Sequence, residues 1–137
     1  RNVPRQRAAP TVAKSGLYTR KGDAGWSSLY SEEWVQKSSP VYDAIGDVDE
    51  LNCAIGVARE SLAAGAEMYL QLEAVQGWLL DVGSALCTPR HRTANQRKLE
   101  RTKGVGAEVV AEVEAWIDEL DSRLRLLRHF VLPAGCP

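Results

Sequence analysis

The chain has 137 residues, about 45% of them apolar, with 17 Lys and Arg against 18 Asp and Glu and a net charge of −1. That length fits one domain with a core, and the near-balanced charge gives no field that would favour nucleic acid as a partner. No apolar run approaches the roughly 18 residues of a membrane-spanning helix, and Cys53, Cys87 and Cys136 are too scattered for a zinc site or a disulfide framework, so a reducing compartment is the simpler reading.

Residues 1–17 carry Arg1, Arg5, Arg7 and Lys14, no acid, and the breaks Pro4 and Pro10. Such a segment reads either as a remnant of an organelle-targeting sequence or as a basic, disordered tail. A domain is expected over residues 18–137. It begins with Tyr18-Thr19-Arg20-Lys21-Gly22-Asp23-Ala24-Gly25-Trp26-Ser27-Ser28-Leu29. Gly22 and Gly25 permit close backbone approach, Thr19, Ser27 and Ser28 offer hydroxyls, and Arg20 and Lys21 add positive charge. Glycines, hydroxyls and cations so close together suit a polyphosphate. The spacing is neither GxxxxGK[ST] nor GxGxxG, so on the residues alone a Gly/Ser turn on a basic tail stands as the alternative.

Ser38, Ser39 and Pro40 are helix-start signals. Behind them Val41, Ile45, Val48, Leu51, Ile55, Ala58 and Leu62 recur at three- and four-residue steps, marking one face of a first helix. A second helix runs from about Glu67, with Leu72, Val75, Leu79, Val82 and Leu86 on one face, and stops before Pro89. Through both, acids dominate and Arg59 is the single base between Asp43 and Asp81. The linker at 87–103 holds Arg90, Arg92, Arg97, Lys98, Arg101 and Lys103 against Glu100, and reads as a solvated, mobile loop, with a phosphate or partner contact as the lesser alternative. Gly104 and Gly106 then introduce a third helix, with Val109, Val113, Trp116, Ile117 and Leu120 on one face. Phe130-Val131-Leu132 is too short to assign, and the sequence ends on Pro133-Ala134-Gly135-Cys136-Pro137, turn chemistry that normally leads into a further element. The fold class is all-α, an antiparallel helical bundle.

Four ordered segments carry a family likeness. The loop from Thr19 to Ser28 and the helix stretch Gly46-Asp47-Val48-Asp49-Glu50-Leu51-Asn52-Cys53-Ala54-Ile55-Gly56 resemble the T-[RK]-x-G-D-x-G-x-S-S loop and G-x-x-D-E-L-N/S-x-x-I-G helix of the trimeric class of ATP:cob(I)alamin adenosyltransferases. Gln76, Asp81-Val82-Gly83-Ser84-Ala85-Leu86 and Thr88-Pro89 look like that family's second helix, and the segment from Phe130 to Gly135 resembles its F-[IV]-L-P-[SG]-G turn.

The resemblance implies a five-helix bundle, of which about three helices fall in this chain, and an enzyme that moves the 5′-deoxyadenosyl group of ATP onto cob(I)alamin with release of triphosphate. It implies ATP contacts from Thr19, Arg20, Lys21, Gly22, Ser27, Ser28 and Lys37, with Mg2+ as counter-ion on the phosphates. Asp49 would pair with an arginine of a later helix near a subunit interface, and Phe130 would pack under the corrin ring. Read without the family, Asp49 and Glu50 are an exposed acidic helix face and Phe130 is ordinary core. Expected partners are ATP, cobalamin and two further copies in a homotrimer, with a reductase or an adenosylcobalamin-dependent enzyme as a further associate. The expected location is the mitochondrial matrix, otherwise the cytoplasm. Because the nucleophile is the substrate's cobalt, no Ser/His/Asp or Cys/His constellation is required.

Family members continue past the L-P-x-G turn into further helices with an arginine cluster. Arg123, Arg125 and Arg128 precede the turn and do not align with that cluster. The sequence therefore reads as an incomplete member with a weakened ATP grip, and a catalytically silent helical module acting through protein association is the competing expectation.

Overall fold

In the computed structural model, residues 16, 20, 22–91 and 93–130 are described. They contain a short hairpin, β1 (Trp26–Ser28) and β2 (Trp34–Gln36), followed by α1 (Pro40–Arg59), α2 (Glu67–Leu86), α3 (Gln96–Arg101) and α4 (Ala107–Ser122). The expected helical bundle is present, with the hairpin and α3 added to it. The strands pair antiparallel in the register Trp26↔Gln36, Ser27↔Val35 and Ser28↔Trp34.

Local chemistry explains the boundaries. Pro40 occupies the first turn of α1, where its missing N–H costs nothing, and the Tyr42 N–H donates to the Ser39 carbonyl (2.8 Å). The apolar periodicity runs on to Leu62, but α1 ends at Arg59 because the Ser61 and Leu62 N–H groups turn back to Ala58 and Arg59 (3.1 and 3.0 Å). Pro89 cannot extend α2, and the Thr88 hydroxyl donates to the Ser84 carbonyl (2.9 Å) in its last turn. Part of the linker is helical rather than loop, while Arg90, Arg97, Arg101 and Lys103 stay exposed. Asn95 caps α3 by accepting from the Lys98 N–H (3.2 Å), and Thr88 and Thr93 at its base are 2% and 7% exposed.

α1 and α2 lie antiparallel and are clasped by polar groups. Gln76 Nε2 donates to the Asn52 carbonyl (2.9 Å), and Asn52 Nδ2 donates to the Gln76 carbonyl (3.3 Å). Nearer the end of α1, Arg59 donates to Gln76 Oε1 (2.6 Å), pairs with Glu73 (2.9 Å) and sits 4.1 Å from the centre of the Tyr69 ring. α4 meets α2 through the stacked rings of Trp78 and Trp116, 5.4 Å apart and inclined by 21°. A Cβ on Gly104 would lie 3.2 Å from the Ala85 Cβ, and Arg123 reaches Glu67 at 3.9 Å, so α4 also runs antiparallel to α2.

None of the helices contains a fully buried residue, and Leu29 is the one buried apolar side chain among the described residues. Val57, Leu80 and Ile117 stay 73%, 65% and 58% exposed. With so little fully buried, the few cross-helix contacts matter. Trp116→Ala is expected to cost about 2 kcal/mol, from lost ring stacking and half-buried area. Hydrogen exchange is the check: amides of α4 should speed up well before those of α1 and α2, and uniform acceleration would show that the stack is not the tether.

Candidate active site

Between residues 22 and 37 the chain turns, runs out along β1 and returns along β2. The Asp23 N–H donates to the Arg20 carbonyl (3.2 Å) and the Gly25 N–H to the Gly22 carbonyl (3.3 Å). Gly25 has φ +82°, a conformation open to glycine and strained for other residues. β2 delivers Lys37 back to this turn, where its N–H donates to the Gly25 carbonyl (2.8 Å).

The Lys37 side chain then folds over Gly22. A Cβ at Gly22 would lie 2.9 Å from Lys37 Nζ and 3.0 Å from its Cε, so the ammonium occupies the space that glycine leaves. A cation above a glycine turn is the arrangement a phosphate oxygen fits. Arg20 is exposed beside it at φ +58°. Thr19 and Lys21 lie outside the described residues.

Ser27 and Ser28 are adjacent on β1, so their side chains leave opposite faces of the ribbon; Ser27 is half-buried and Ser28 exposed. The structure therefore does not bring both hydroxyls to one side. Sequence reasoning overlooked the hairpin itself because each strand is only three residues long, too short for alternation to register.

The far turn of the hairpin meets the helices. The Ser31 N–H donates to the Cys87 carbonyl at the end of α2 (3.3 Å). Tyr30 lines a cavity of about 750 Å3 between α1 and α2 together with Tyr42, Asp49, Asn52, Leu79, Cys87 and Arg101. Asp49 is exposed and makes no ion pair among the described residues, while Arg101 contributes to the same lining. The Tyr42 hydroxyl is buried without a hydrogen-bond partner among the described residues. Burial holds the Cys87 thiol above its ordinary pKa, so it stays protonated at neutral pH.

Lys98, read from sequence as part of a solvated loop, donates to the Tyr30 carbonyl (2.9 Å) and to Glu32 Oε1 (2.6 Å). Its ammonium holds the Glu32 carboxyl below the usual glutamate value, first by the hydrogen bond and then by charge. A carboxylate depressed in this way supports the fold above its ordinary pKa, and that support is lost as pH falls through the lowered value.

Phe130 does not pack in the core: it is fully exposed, with a relative accessibility of 108%. The Val131–Gly135 part of the terminal turn lies outside the described residues. No cluster of three or more His, Cys, Asp or Glu that could hold a metal occurs among the described residues. No helix among them is long and apolar enough to cross a membrane.

These features define a helical bundle with a basic glycine turn. Residues 17–137 match the cobalamin adenosyltransferase family profile, and the chain belongs to that family. It is 40% identical over 133 residues to mouse corrinoid adenosyltransferase MMAB, covering 96% of this chain and 55% of the mouse protein. With corrinoid adenosyltransferase PduO of Salmonella typhimurium it shares 32% identity over 120 residues, 88% of this chain and 34% of that one. A variant PduO-type ATP:corrinoid adenosyltransferase from Lactobacillus reuteri, solved with cobalamin and ATP, superimposes with TM-score 0.75 at 26% identity, over 88% of this chain and 64% of that structure. The chain thus spans about half the length of the mammalian relatives it matches.

Proposed function

We propose that the protein carrying this chain transfers the 5′-deoxyadenosyl group of ATP to cob(I)alamin, forming adenosylcobalamin and triphosphate. The observation that carries the reading is the Lys37 ammonium seated on the Gly22 turn, within a fold shared with an enzyme solved with both substrates.

Carbon–cobalt bond formation at C5′ breaks the C5′–oxygen bond, and the electron pair leaves on the triphosphate. Lys37, Arg20 and Lys21 supply positive charge for that developing negative charge, and Thr19 supplies a hydroxyl donor. Ser27 and Ser28 contribute hydroxyl donors from the two faces of β1, so one serves the phosphates and the other the nucleoside or a neighbouring subunit. Mg2+ fits as a counter-ion held chiefly by phosphate oxygens, a mode needing few protein ligands. Asp49 supports the site from α1, and Phe130 supplies an apolar surface for the corrin.

The exposed apolar side chains of Val57, Leu80 and Ile117 favour assembly, and a homotrimer is the form we propose. The basic, acid-free stretch at residues 1–17 favours delivery to the mitochondrial matrix.

Full-length protein incubated with chemically reduced cobalamin and ATP is expected to yield adenosylcobalamin and triphosphate in equal amounts. Absence of both products sinks the reading. Phe130→Ala should lower turnover and cobalamin affinity about tenfold or more, by loss of an aromatic contact, with ATP affinity unchanged; an equal loss for ATP removes Phe130 from the corrin site.

A further inference from the structure

We propose that Lys98 is a positioning residue for ATP, acting from α3 through the far turn of the hairpin; the inference rests on the ATP-binding role proposed above. A two-stranded ribbon with three-residue strands is marginal by itself, so its geometry depends on what holds its turn. Lys98 holds it three ways: through the Tyr30 carbonyl (2.9 Å), the Glu32 carboxylate (2.6 Å) and the face of the Tyr30 ring (4.9 Å).

The turn needs such a hold. Glu32 sits at φ +70°, a left-handed conformation that a residue with a Cβ keeps only where its surroundings enforce it. Lys98 is itself placed with care, because Asn95 accepts its backbone N–H and the Thr102 hydroxyl donates to its carbonyl (2.9 Å). Its side chain is 19% exposed, whereas that of Glu32 is 84% exposed. The pairing therefore adds less through surface charge than through the carbonyl bond and the fixed geometry.

The consequence reaches the phosphate end. The pairing of β1 with β2 sets where Lys37 returns to Gly25, and so where its ammonium meets Gly22. A turn released from Lys98 lets the register breathe, and the cation and glycine cease to be presented as one site. Loss should appear as weaker ATP binding, with cobalamin binding intact.

The test uses the full-length protein, with calorimetry for ATP and for cobalamin separately and hydrogen exchange across residues 26–36. Lys98→Met is expected to weaken ATP about three- to tenfold, less than the full worth of an exposed ion pair plus one charge-assisted hydrogen bond because the effect reaches ATP only through the hairpin. It should speed exchange in the hairpin and leave cobalamin binding alone, with Lys98→Arg recovering most of the loss. Unchanged ATP affinity, or cobalamin weakened equally, overturns the proposal. Glu32→Gln, at an exposed position, gives a smaller loss in the same direction and decides the matter if Lys98→Met does not fold; no loss there overturns it. Wild-type protein that binds ATP but forms no adenosylcobalamin removes the proposed reaction and leaves the role of Lys98 standing. Wild-type protein that binds no ATP removes both.

Discussion

Replacing Lys37 with alanine is expected to weaken ATP binding about 10- to 100-fold, the worth of one charge-assisted hydrogen bond at roughly 1.5–3 kcal/mol. The fold should be little affected, because Lys37 is exposed and only its backbone N–H ties the turn to Gly25. Gly22→Ala is the sharper companion. Its Cβ would meet the end of the Lys37 side chain, which can swing aside without moving any backbone. Thermal stability should therefore hold while the ammonium leaves its place over the glycine turn. ATP affinity by calorimetry and melting temperature by scanning fluorimetry separate the two effects. If Gly22→Ala binds ATP as wild type does, the ammonium over the glycine is incidental.

The second large effect falls on stability. Arg59→Ala removes the hydrogen bond to Gln76, the ion pair to Glu73 and the stacking on Tyr69 in one step. With the Arg59 side chain 15% exposed, the loss should be about 2–4 kcal/mol, drawn mainly from the charge-assisted bond and the cation–π contact. For a domain of this size that is a fall of roughly 10 °C in melting temperature. Glu73→Gln should cost only about 0–1 kcal/mol, because Glu73 is 58% exposed and solvent screens its charge. Chemical denaturation of both variants checks the ranking. A result in which Glu73→Gln costs as much as Arg59→Ala would place the weight on surface charge and contradict the clasp.

The clasp shows where sequence reading ran short. Gln76 stood out only as part of a family-like segment, yet it bridges α1 and α2 by accepting from Arg59 and donating to Asn52. Arg59 stood out as an isolated base among acids, with no sign of which helix it would face. Periodicity located the faces of α1, α2 and α4 because a stripe repeating every three to four residues is a local property. It extended α1 to Leu62, since the residues after Arg59 keep the spacing while the backbone has already turned. The linker misled for the same reason: counting its charges shows solvation, while the cap at Asn95 and the reach of Lys98 to Glu32, 66 residues away, are not written in composition.

The glycine turn that suggested phosphate chemistry was legible because Gly22, Gly25, Arg20 and Lys21 are neighbours in sequence. From residue order alone came the helical class, the family likeness and the candidate ATP residues. Tertiary structure alone decided that Lys37 returns to Gly22, that Ser27 and Ser28 face apart, that Asp49 and Arg101 line one cavity, and that Phe130 stands in solvent. The physical reason is range. Helix periodicity and turn chemistry act over a few residues, whereas the pairing of a cation with a distant glycine, carboxylate or cavity is set by how the chain returns on itself.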